Sequence, residues 1–97
     1  MHDTGWIAEK PVALAAGDYL IDAQIATDGR VRARIAMRLR HVTAGVDLLS
    51  ATNSRLAGLC TMVEPGNVVL EHRCQTEEGE RAQIDVSMRI QQVSASS

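Results

Sequence analysis

From Val31 onward the odd positions read Val31, Ala33, Ile35, Met37, Leu39 and His41, and the even positions read Arg32, Arg34, Ala36, Arg38 and Arg40. This is a period of two. Ala, Arg, Met and Leu are good helix formers, so propensity alone favours a helix. On a helix, however, the arginines would scatter around the whole circumference, whereas a strand sets them on one face. The pattern therefore predicts a strand over 31–41. The preceding segment alternates as well, with Tyr19, Ile21, Ala23 and Ile25 against Asp18, Asp22 and Gln24. A two-residue turn at Asp28-Gly29 would oppose Ile25 to Arg32, apolar against charged. A three-residue loop with Gly29 in the left-handed bulge position instead pairs Ile25 with Val31, Ala23 with Ala33 and Ile21 with Ile35. The same register sets Gln24, Asp22 and Asp18 opposite Arg32, Arg34 and Arg38, and leaves Arg40 least accounted for.

Toward the other end, Ala82, Ile84, Val86, Met88 and Ile90 alternate with Gln83, Asp85, Ser87, Arg89 and Gln91, which predicts a half-buried strand. Residues 67–75 form a less regular strand, and 76–80 are expected to turn it into the last one, pairing Arg73 with Asp85 and Glu77 with Arg81. Between the two hairpins, Val46, Leu49, Leu56, Cys60 and Val63 follow three-and-four spacing. Thr43 can cap a helix there, and Pro65-Gly66 ends it. Thr52-Asn53-Ser54 is poor helix material, so two short strands over 43–63 are the alternative. The expected fold is α+β: a β-β-α-β-β antiparallel sheet with one helix packed on its apolar face, or alternatively an all-β, barrel-like meander. One domain is expected over 1–97, with an irregular lead-in at 1–16 and a flexible tail at 94–97.

Composition narrows the function classes. The chain has 97 residues, of which 45% are apolar, 23% charged and 2% aromatic, and its formal net charge is −2. No global field draws it to nucleic acid or anionic lipid, so any such binding is local. No run approaches the ~18 apolar residues of a membrane span, and the start has no basic segment leading into an apolar one. A cytoplasmic setting is expected, with Cys60 and Cys74 as reduced, buried thiols. A chain this small buries only roughly 60–70% of its unfolded surface, which favours a homodimer.

Five arginines, Arg30, Arg32, Arg34, Arg38 and Arg40, are the unusual feature. Guanidinium forks hold phosphates, carboxylates or single-stranded nucleic acid. The plainer expectation is that acids across the hairpin neutralise most of them. Arg38, Arg40 and His41 are the candidate ligand-binding residues. His41 and Asp47, near the strand-to-helix junction, are the candidate acid-base pair. His72, Cys74 and Cys60 match no zinc spacing, so neither a metal nor a cofactor is expected.

Two segments resemble known families. Val63-Glu64-Pro65-Gly66-Asn67 followed by a strand hairpin resembles the Pro-Gly-Asp turn of hot-dog-fold thioesterases and dehydratases. The resemblance implies an acyl-thioester groove at a dimer interface near His41 and Asp47, although the dehydratase Gly-His-Phe-Pro segment is missing. Val69-Leu70-Glu71-His72-Arg73, with Gln75 and Glu77-Glu78-Gly79, resembles a strand and turn of primosomal single-stranded-DNA-binding proteins of the OB type. That likeness implies nucleic-acid binding through the arginine-rich strand. The leading expectation is a small cytoplasmic homodimer that binds a small molecule or a protein, without catalysis of its own.

Overall fold

The computed structural model describes residues 2–27, 32–77 and 83–95. The Asp28-Gly29 turn, Arg30, Val31 and the segment Glu78 to Ala82 lie outside the described residues. Nine strands appear in the order β1 (His2–Asp3), β2 (Ile7–Ala8), β3 (Val12–Leu14), β4 (Gly17–Thr27), β5 (Ala33–His41), β6 (Val46–Ala51), β7 (Arg55–Met62), β8 (Gly66–Thr76) and β9 (Ile84–Ala95). They form two antiparallel sheets. In the first, β5 lies between β6 and β8, and β1, β2 and β3 line the outer edge of β8 in succession. In the second, β4 lies between β7 and β9. Among the described residues there is no helix, and so none long and apolar enough to cross a membrane.

The α+β expectation is thus corrected to an all-β, two-sheet architecture. The three-and-four spacing over 43–63 is coincidental, since Val46 and Val63, two of its five members, are 49% and 87% exposed. The segment instead forms β6 and β7 joined at Thr52-Asn53-Ser54, whose short polar side chains favour a turn. In β7 the buried residues Leu56, Cys60 and Met62 all fall on even positions, as a strand requires. Pro65-Gly66, expected to end the helix, instead leads from β7 into β8.

Both expected hairpins are also overturned. β4 and β5 belong to different sheets: β4 pairs with β7 and β9, and β5 with β6 and β8. Likewise β9 pairs with β4, so Arg73 and Asp85 lie in different sheets. The physical reason is general. A period of two fixes which side chains share a face, and two strands that face each other across a core satisfy it as well as two that lie side by side.

The core fills the space between the sheets. Tyr19, Ile21, Ala23 and Ile25 of β4 and Leu56, Cys60 and Met62 of β7 come from one side; Ile35, Met37 and Leu39 of β5 and Val68, Leu70 and Cys74 of β8 come from the other. Ile84, Val86, Met88 and Ile90 of β9 complete it while only partly buried. With so few aromatics, aliphatic and thioether side chains supply nearly all of this burial. Tyr19 directs its hydroxyl to the Ala15 carbonyl at 2.8 Å, which fixes the bend where β3 gives way to β4. Gly45, at φ +70, closes the β5–β6 turn by donating its N–H to the His41 carbonyl at 2.8 Å.

The expected irregular lead-in is stitched to β8. Thr4 N–H donates to the Cys74 carbonyl, the Cys74 N–H donates to Thr4 Oγ1, and Glu9 N–H donates to the Leu70 carbonyl at 2.8 Å. Strand β9 runs to Ala95, into what was expected to be a free tail, and Ser94 Oγ donates to Asp18 at 2.6 Å.

Candidate anion-binding face

Alternation along β5 and β8 sets one row of each strand against the core and the other on the outside of the first sheet. The outer row of β5 is Arg34, Ala36, Arg38 and Arg40, preceded by Arg32; the outer row of β8 carries Glu71, Arg73 and Gln75. The backbone register sets Arg38 opposite Glu71 and Arg34 opposite Gln75. Arg38 Nε donates to Glu71 Oε1 at 2.6 Å, with both side chains more than three-quarters buried. On the other side of β5, Arg40 meets Asp47 of β6 at 3.2 Å. Arg73 is held by Asp3 of β1 through Nε and its terminal nitrogen, and Gln75 Nε2 donates to the same carboxylate at 3.0 Å. Those bonds, with the Gly5 N–H, hold the Asp3 carboxyl well below the usual carboxylate range.

The charge assignment expected from the hairpin is therefore reversed. Asp22 pairs with Arg55 at 3.3 Å, and Asp18 accepts hydrogen bonds from Thr61 and Ser94, which lowers its pKa. Neither reaches the β5 arginines, because β4 lies in the other sheet. Arg40, expected to be the unpartnered one, has an acid beside it. Arg32 and Arg34 form no ion pair among the described residues, and both are exposed.

Trp6 lies on this face. The Arg38 guanidinium stands 4.0 Å from the centre of the indole ring, and Trp6 remains 39% exposed. Two clefts open beside it. A first, of about 640 Å³, is walled by Trp6, Arg34, Arg73, Gln75 and the turn Thr52–Ser54. A second, of about 440 Å³, is lined by Arg32, Arg34, Gln75 and Glu77, and the two share Ala33, Arg34 and Gln75. Glu77 is the one acid lining either cleft among the described residues.

The remaining candidate residues are placed elsewhere. His41 ends β5 on the core side, 4% exposed, and its Nε2 has no hydrogen-bond partner among the described residues. A Cβ on Gly66 would overlap that nitrogen. Asp47 is opposite Arg40 on the outer side, so His41 and Asp47 lie on opposite faces of one sheet. His72 is buried with both ring nitrogens lacking a hydrogen bond, and its nearest acid is Glu9 at 3.9 Å. Among the described residues, no three His, Cys, Asp or Glu side chains cluster as metal ligands. Cys60 and Cys74 are buried and unpaired; burial pushes both thiols up, with Asp18 and Asp3 respectively adding to the shift.

The chain matches no protein-family model, no curated protein and no solved structure. The geometry of the face is thus the basis for a functional reading. Trp6 was missed from sequence because it belongs to no periodic segment, and only the docking of β1 and β2 along β8 brings it over Arg38.

Proposed function

We propose that this protein is a non-catalytic binding module, working as a homodimer in the cytoplasm, that holds a phosphate- or carboxylate-bearing ligand in the double cleft beside Trp6. The observation that carries this reading is the pair Arg32 and Arg34, exposed and in no ion pair among the described residues, at the junction of two clefts. A guanidinium fork binds an oxyanion through two parallel hydrogen bonds, and the field of an unpaired cation is not spent on a neighbour. Arg38, Arg40 and Arg73 act as the frame, each held by an acid. Two unpaired, buried cysteines fit a reducing compartment, and the thin core margin of a chain this size favours self-association. The separation of His41 from Asp47 by the thickness of a sheet speaks against their joint action on one ligand.

A second reading is single-stranded nucleic acid, favoured by an exposed indole next to exposed arginines, the pairing that stacks a base and holds its phosphate. Trp6 is the only tryptophan, so its emission reports directly on the face. Titration with pyrophosphate, citrate and a short oligothymidylate at low salt separates the readings. A response to the small anions supports the first and a response to the oligonucleotide alone supports the second. Silence from all three rejects both.

A further inference from the structure

Among the described residues, the outer edge of β9 is the longest strand edge without a partner strand. The edge of β8 is covered by β1, β2 and β3, which are two or three residues each, with Pro11 between β2 and β3. The β5–β6 ladder is interrupted by a bulge at Leu39/Arg40, and β7, the other edge of the second sheet, is eight residues long against twelve for β9 and has Leu49 of β6 against its Gly58. Like β7, β9 pairs on one side only, with β4, and its register is continuous from Ile84 to Gln92. Over that stretch it carries no proline and no inward charge, the devices that blunt an edge. Its inward row, Ile84, Val86, Met88 and Ile90, is only partly buried, whereas the neighbouring Ile21, Ala23 and Ile25 are almost wholly so.

We infer that the β9 edge pairs antiparallel with the β9 edge of a second copy, about a two-fold axis through Ser87. The proposal rests on the homodimer part of the reading above and names its interface. The sequence of β9 is self-complementary about Ser87. Asp85 comes opposite Arg89 of the second copy, Arg89 opposite Asp85, Val86 opposite Met88 and Ile84 opposite Ile90. Within one chain neither Asp85 nor Arg89 forms an ion pair among the described residues: Asp22, opposite Arg89 in β4, is engaged by Arg55 instead. The pairing joins two three-stranded sheets into one of six, satisfies the edge N–H and C=O groups, and lengthens the apolar row that a single copy leaves half covered.

Charge reversal tests it, read by sedimentation velocity and light scattering with circular dichroism confirming the fold. Wild type is expected at twice the chain mass of 10.5 kDa. Arg89→Asp and Asp85→Arg each put like charges opposite one another at two places in the dimer, and each is expected to raise the dissociation constant roughly tenfold or more. Mixing the two single variants, or combining both substitutions in one chain, restores opposite pairing and the dimer. A wild type that stays monomeric up to roughly 100 µM overturns this pairing and the homodimer reading together. A dimer that neither reversal weakens overturns the β9 pairing and leaves the homodimer standing.

Discussion

The guanidinium of Arg38 lies 4.0 Å from the centre of the Trp6 ring while its Nε donates to Glu71 Oε1, so one arginine joins the lead-in, β5 and β8. Cation–π contact and a largely buried charge-assisted bond together are worth about 1–3 kcal/mol. Arg38→Ala is therefore expected to lower stability by about that much and to red-shift Trp6 emission as the ring gains water. Urea unfolding and emission spectra check the two effects on the same samples. An unchanged spectrum would mean that the ring does not rest on Arg38.

Gly66 lies against the buried imidazole of His41, where a Cβ would overlap Nε2. Gly66→Ala is expected to cost about 1–3 kcal/mol, the range for forcing an extra carbon into a packed site. Because the clash has a single named partner, the double variant Gly66→Ala with His41→Ala should cost less than the sum of the singles. Additive costs in urea melts would show that the overlap is relieved elsewhere.

Asp3 is held ionised by Arg73, Gln75 and the Gly5 N–H, and Asp18 by Ser94 and Thr61. Each has a folded pKa below its unfolded value of about 3.9. Their contribution is therefore fully present above that value and is lost as pH falls through the lowered folded values. Acidification below about pH 4 should loosen the attachment of β1 to β8, seen as faster exchange of the Thr4 and Cys74 amides. Asp3→Asn should exchange fast already at neutral pH and show little further change in acid.

Both thiols are buried, and burial raises their pKa values, which favours the unreactive protonated form. The raised values also mean that their contribution is present below the unfolded pKa of about 8.5 and is lost as pH rises through the folded values. Neither thiol should react with a disulfide reagent in the native state at pH 7, and both should react at the rate of unfolding when denaturant is added. Fast labelling of the native protein would place one of them at the surface.

Much of the fold was legible as faces and little of it as neighbours. The alternation in 17–27, 31–41 and 82–91 correctly marks Ile21, Ala23, Met37 and Leu39 as buried and Arg34 and Arg38 as outward. The same alternation gave the wrong partners, because Asp22 and Arg34 would complement each other in one sheet as readily as Arg55 and Asp22 do in the actual one. The helix expected over 43–63 failed for a related reason: Val46, Leu49, Leu56, Cys60 and Val63 have helical spacing only if the turn at Thr52-Asn53-Ser54 is read through. Arg38 and Arg40, the candidate ligand-binding arginines, do stand on the outer side of β5, but each is paired with an acid. That Arg32 and Arg34 form no ion pair among the described residues emerged only once Asp18 and Asp22 were known to lie in the other sheet.

The central claim is that Arg32 and Arg34 hold an anion beside Trp6. Its most direct test is Trp6 emission during titration with pyrophosphate, citrate and a short oligothymidylate, on wild type and on Arg32→Glu with Arg34→Glu. Wild type is expected to respond saturably to at least one of these, less so as salt rises. The double variant should keep its fold and lose affinity by roughly a hundredfold, as two charge-assisted contacts are removed. An equal response from the double variant, or none from wild type at low salt, would contradict the account.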